Sequence, residues 1–110
     1  DILPAIQRNF ATWRANTADT DTLKQLRRGF HTIKGSAPIV GATALGTFGR
    51  DLERLTITFH ERPDTITPDA IKILEQAIGM LPAFAETVRT NKPPPTLARI
   101  LGQRLRRLAE

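Results

Sequence analysis

The chain has no cysteine and no tyrosine, and only one tryptophan, one methionine and two histidines among 110 residues. Without cysteine there is no disulfide framework, no thiol nucleophile and no thiolate zinc site. His31 and His60 have no partners at ligand spacing, which argues against a metal site. No apolar run approaches the ~18 residues that a membrane-spanning helix requires. Strand-like alternation is absent, as are repeats, a glycine-rich phosphate loop and an acidic pair able to hold magnesium. What remains is ordinary globular composition, 40% hydrophobic and 25% charged, in a length that suits one domain. The chain opens on Asp1 with no apolar signal-like segment behind it, so it reads as a piece of something longer. The lack of cysteine fits a cytoplasmic setting.

Apolar residues recur at helical spacing almost throughout. Leu3, Ile6, Phe10 and Trp13 form a first stripe, with Asp1 as a cap and Pro4 in the first turn. A polar turn at 16–21 leads to Leu23, Leu26, Phe30, Ile33, Ala37 and Val40, a long second helix over roughly 20–40 that ends at Gly41. The third stripe is Leu45, Phe48, Leu52, Leu55 and Phe59, with Thr43 as its expected N-cap. Thr67, Pro68 and Asp69 then supply a cap, a proline at the first helical position and an early acid. The fourth stripe is Ile71, Leu74, Ile78, Leu81, Ala85 and Val88, with a kink expected at Pro82. Residues 91–95, NKPPP, form a stiff linker. A last helix from about Thr96 carries Leu97, Ile100, Leu101, Leu105 and Leu108. The pattern predicts an all-α fold: an antiparallel up-and-down four-helix bundle over 1–90, a linker over 91–95, and an additional basic C-terminal helix over 96–110. That helix either packs on the bundle or leads to a further domain.

A net charge of +5 points at first to nucleic acid or another polyanion. Its distribution changes that reading. Residues 92–110 carry five basic residues against one acidic, whereas 1–91 carry eleven against ten. The bundle is nearly neutral, and its basic character is local.

That local cluster lies on the second helix. His31 stands one residue, about 100°, from the core residue Phe30 and so falls toward the polar side, with Lys24, Arg27, Arg28 and Lys34. Lys34 and Gly35 follow it by three and four residues and are its surface neighbours. A glycine inside a helix costs ~1 kcal/mol relative to alanine, so Gly35 needs a reason. One turn from a histidine, it leaves the imidazole uncovered for a bulky partner. An exposed imidazole with an adjacent ammonium suits a nucleophile that accepts and holds a phosphoryl group. Each feature alone has a plainer reading: a surface histidine, a solvated basic face, a close helix contact. Their combination within one and a half turns favours the chemistry.

The string FHTIKGSAPIVG at 30–41 resembles the H-x-x-K-G-[SA] motif of the histidine phosphotransfer (HPt) domains of bacterial two-component systems. The flanking LRRGF and ATALGTFGRDLERL are similar to that family's neighbouring helices, and the likeness is greatest to modules of the large chemotaxis-like pilus and motility kinases. The resemblance implies that His31 is the phosphoacceptor, that Lys34 stabilises the phosphoryl group, that Gly35 grants access, and that Arg27, Arg28 and Ser36 form a rim for partner docking. It implies a receiver domain or a histidine kinase domain as partner, and magnesium supplied by the receiver rather than a cofactor of this chain. It implies neither nucleic-acid binding nor membrane contact, and a phosphotransfer intermediate rather than an enzyme with a complete active site. Pro38 departs from the motif and should bend the helix one turn past Gly35. Two alternatives stand beside this reading. One is a basic helical module that binds nucleic acid or another polyanion through Arg99, Arg104, Arg106 and Arg107, against which the scarcity of aromatics argues. The other is an HPt-like scaffold that is never phosphorylated, against which the intact motif argues.

Overall fold

Ile6, Phe10 and Trp13 can share one face only if the first segment is helical, and that face is buried in helix α1, Leu3–Ala15. The computed structural model describes residues 2–110, so the cap expected of Asp1 lies outside the described residues. The other helices are α2, Thr20–Ser36; α3, Thr43–Glu61; α4, Pro68–Arg89; and α5, Thr96–Leu108. Two short 3₁₀ turns, Ala37–Val40 and Pro63–Thr65, complete the architecture, and there is no strand among the described residues.

Consecutive helices run antiparallel. Early α1 meets late α2, where a Cβ on Gly29 would stand 2.7 Å from Ile6 Cγ1. Late α1 meets late α3, where Trp13 stacks on Phe59 with ring centroids 5.6 Å apart. Early α3 meets late α4 through Phe48 and Phe84, 5.5 Å apart. Leu26, Phe30, Leu52, Leu55, Leu74 and Leu81 fill the middle and are almost wholly buried. This is the antiparallel bundle that the four stripes predicted.

Several boundaries differ from the sequence-based expectation, each for a local reason. The α-helical part of α2 ends at Ser36 rather than near residue 40. Pro38 has no N–H to offer the Lys34 carbonyl, and its ring seats against Gly46, where a Cβ would stand 3.1 Å from Pro38 Cγ and Cδ. The chain tightens into the 3₁₀ turn and leaves it through Gly41 at φ 78°, a left-handed value natural to glycine. Thr43 is the first helical residue of α3, not its cap. Ala42 precedes it without a side-chain cap, held by its own N–H to the Ala37 carbonyl at 2.9 Å. The cap of α4 is as expected: the Thr67 hydroxyl accepts from Ala70 N–H at 3.1 Å. Pro82 lies inside α4, which continues to Arg89.

Helix α5 packs on the bundle, but with its stripe rotated. Ala98, Leu101 and Leu105 are buried, whereas Leu97 and Ile100 are exposed. The rotation puts small residues, Ala98 and Gly102, toward the bundle and brings Arg106 to Asp51 of α3, Nη1 to Oδ2 2.6 Å. One of the four α5 arginines is therefore engaged with the core rather than displayed to solvent. Asp51 is 1% exposed, and its second carboxylate oxygen, Oδ1, is buried without a hydrogen-bond partner among the described residues. Burial pushes the Asp51 carboxyl above its ordinary value, and the neighbouring Arg106, Arg50 and Arg54 offset only part of that. A raised folded-state pKa means that the cost of the buried carboxylate is present in full above that pKa and is relieved as pH falls through it. Breaking the pair from the arginine side leaves that carboxylate uncompensated. Arg106→Ala should therefore destabilise the protein by ~2 kcal/mol, and Asp51→Asn should cost less, because it removes the buried charge as well as the pair. Urea unfolding of the two variants at pH 7 checks the order.

Candidate functional site

The site is built where α2 and α3 approach most closely. Asp19 caps α2, accepting from Thr22 N–H at 3.0 Å, and fixes where its helical phase begins. A Cβ on Gly49 would stand 2.8 Å from Ile33 Cγ2 and 3.0 Å from Lys34 N, so only glycine lets the two backbones come this near. One turn further along α3, Glu53 faces the polar edge of α2. Its Oε2 lies 2.7 Å from His31 Nδ1 and its Oε1 accepts from Lys34 Nζ at 2.8 Å. A single carboxylate holds both residues that the motif singles out.

Their exposures divide the labour. The Glu53 side chain is 10% exposed and the His31 side chain 65%. Burial alone pushes the Glu53 carboxyl up, but the hydrogen bonds from Lys34 and His31, together with their charges, outweigh it and hold Glu53 below its ordinary value. An ionised carboxylate only accepts, so Nδ1 of His31 is the donor. A neutral imidazole that carries its proton on Nδ1 has its lone pair on Nε2. Glu53 thus occupies Nδ1 and leaves the lone pair on Nε2 of a largely exposed ring.

Gly35 has open space around it: a Cβ built there meets nothing within 4 Å. No packing contact among the described residues requires glycine at this position. Gly35→Ala should leave the fold intact and raise stability by ~0.5 kcal/mol, a modest gain because the helix ends at the next residue. If access is the reason for the glycine, Gly35→Leu should fold equally well and slow phosphoryl transfer at least tenfold. Thermal melts and transfer rates measured on the same two variants test both statements.

Arg27 and Arg28 line one open cleft of about 360 Å³ with His31, Thr32 and Glu53. Ser36 is exposed at the end of α2 and is not among the residues of that cleft. His60 is exposed near the end of α3 and lines a neighbouring depression with Lys24, Arg27 and Arg28, away from the Glu53 carboxylate. Among the described residues no group of three or more His, Asp or Glu side chains could hold a metal ion, and no helix is long and apolar enough to cross a membrane.

A family model for the Hpt domain matches residues 1–87. The chain belongs to the Hpt domain family. The match takes in α1, α2, α3 and nearly all of α4, and it leaves α5 outside. No curated protein and no solved structure matches. An Hpt domain is a histidine phosphotransfer step of a two-component phosphorelay. It carries no cofactor of its own and works with receiver and kinase domains.

Glu53 is the site residue that sequence reasoning missed. Next to the core residue Leu52, it reads as one more charge at the edge of a stripe. The signal that could have found it is the glycine pair of α3. If Gly49 packs opposite Ile33 in an antiparallel pair, a residue four further on falls opposite the turn that carries His31.

Proposed function

We propose that His31 Nε2 of this Hpt domain accepts a phosphoryl group and passes it on. The observation that carries the proposal is the hold of Glu53 on both His31 Nδ1 and Lys34 Nζ, which leaves Nε2 as the free nucleophile. In the forward step the Nε2 lone pair attacks the phosphorus of an aspartyl phosphate on a receiver domain. The N–P bond forms as the acyl-phosphate P–O bond breaks, and the aspartate leaves as its carboxylate. The reverse step returns the group. A kinase domain working from ATP would load the same nitrogen. Lys34 uses one of its three donors on Glu53 and has others for a phosphoryl oxygen. Gly35 leaves one side of the ring clear.

Two further features support docking of a receiver at this face. Ile39 and Val40, just beyond Gly35, are 84% and 71% exposed and give an apolar contact. Arg27 and Arg28 give a positive one that suits the acidic pocket in which a receiver holds magnesium. In this reading residues 1–90 are the phosphotransfer unit, 91–95 the linker and α5 a basic appendage to it. The parent is a sensor kinase of the chemotaxis-like kind, either cytoplasmic or membrane-anchored with this domain on its cytoplasmic side.

The test is transfer from a panel of receiver domains charged with a small acyl phosphate, followed by mapping of the label. The expected label is acid-labile, stable in alkali and located on His31. Label on another residue, or none with any receiver or with a kinase domain and ATP, overturns the proposal.

A further inference from the structure

A phosphoryl group on His31 brings two negative charges to a ring whose nearest neighbours include an anionic carboxylate, Glu53. Lys34 is the only cation the motif assigns to that charge, and its ammonium already bonds Glu53 at 2.8 Å. Other cations must share the load if the phosphorylated state is to form readily.

Two line the same cleft as His31 and are unengaged. Arg27 and Arg28 are exposed and form no ion pair among the described residues, in contrast to Arg14 with Glu75, Arg89 with Glu86 and Arg106 with Asp51. They stand four and three residues before His31, which at about 100° per residue places them roughly 40° and 60° around the helix on opposite sides of it. Helical side chains lean toward the helix N-terminus, so the His31 ring lies over the turn that carries these two arginines. All three line the same open cleft, with room for a tetrahedral oxyanion above the ring. Each guanidinium presents a planar fork of donors that matches phosphoryl oxygens.

Resting on the reading of His31 as phosphoacceptor, we propose that Arg27 and Arg28 form the seat of the phosphoryl group on the N-terminal side of His31, contacting its oxygens directly. Lys34 closes the other side, and the uncovered Gly35 is the gap through which donor and acceptor approach. The two arginines act on the phosphorylated state of this chain itself, before any partner docks.

Phosphoramidate serves as a partner-free probe. The Nε2 lone pair forms the new N–P bond as the P–N bond of the zwitterionic donor breaks, and ammonia leaves. The Nδ1 proton stays with the ring against Glu53. The experiment follows the phosphohistidine signal by phosphorus NMR across pH for the wild type, for the double variant Arg27→Ala with Arg28→Ala, and for Lys24→Ala. Lys24 lies a further turn away and serves as a control for net charge. The expected result is about tenfold slower loading in the double variant, and a phosphoryl titration displaced to higher pH because the cations favouring the dianion are gone. Lys24→Ala should resemble the wild type. Equal loading rates and equal titrations in wild type and double variant overturn the seat, as does an equally large effect of Lys24→Ala, which would mean diffuse charge. Absence of any phosphohistidine at His31 in the wild type instead overturns the phosphoacceptor reading, so the two failures are distinct.

Discussion

His31→Gln should carry no label under conditions that load the wild type fully, while unfolding within ~1 kcal/mol of it. The loss is complete because no other group at the site can take the role. His60 is the only other imidazole in the sequence, it lies away from the Glu53 carboxylate, and among the described residues nothing equivalent orients its ring. Glutamine can direct its amide N–H toward Glu53 but has no lone pair on nitrogen with which to attack phosphorus. Stability is little affected because the His31 side chain is largely exposed and belongs to no apolar contact of the core. Lys34 continues to compensate Glu53. Label counted after transfer and a urea melt of the same preparation test both halves. Residual label on the variant would place the chemistry elsewhere.

The bundle was legible because its stripes must be buried against one another, although α4 turns slightly from the expected phase, burying Ala70, Ala77 and Phe84 and leaving Ile71, Ala85 and Val88 half-buried. Ile6, Phe10 and Trp13, or Leu52, Leu55 and Phe59, have no alternative partner than the other stripes. Helix α5 was less legible. Its leucines and isoleucine offer two overlapping faces, and the choice between them rests on Ala98, Gly102 and the Asp51–Arg106 pair, which depend on where α5 meets α3. The end of α2 was half legible, since Pro38 announces a break but not the 3₁₀ turn that its seat on Gly46 creates. At the site, local spacing was enough to group His31, Lys34 and Gly35, because all three belong to one helix. It could not supply Glu53, which comes from another helix and enters the site through a register set by Gly46 and Gly49. Residues that share a helix are read from spacing, whereas residues that meet across helices require the packing.

Glu53→Ala should slow transfer at His31 by ~10–100-fold, by analogy with the range seen when the hydrogen-bond partner that orients a metal-bound imidazole is removed. Glu53 touches neither phosphorus nor partner in the proposed step, so it is a positioning residue, and its effect must appear in the ring. In the wild type the carboxylate holds the proton on Nδ1. Without it the neutral ring divides between its two tautomers, and the form with the proton on Nε2 cannot attack. Nitrogen NMR of His31 should show Nδ1–H in the wild type and a mixture in the variant. Glu53→Gln should fall between, since one amide oxygen can accept from His31 or from Lys34 but carries no charge to favour either. Stability should follow with a definite sign. Because the folded state holds the Glu53 carboxyl below its ordinary value, its contribution is fully present above the ordinary carboxylate range and is lost as pH falls through the lowered value. The alanine variant should therefore lose less stability than the wild type on acidification, most visibly below about pH 4.5. A merely structural role for Glu53 would move the melts and leave the tautomer alone. A shifted tautomer, beside the loss of stability at pH 7 that removing the Glu53 bonds brings, is the signature of positioning.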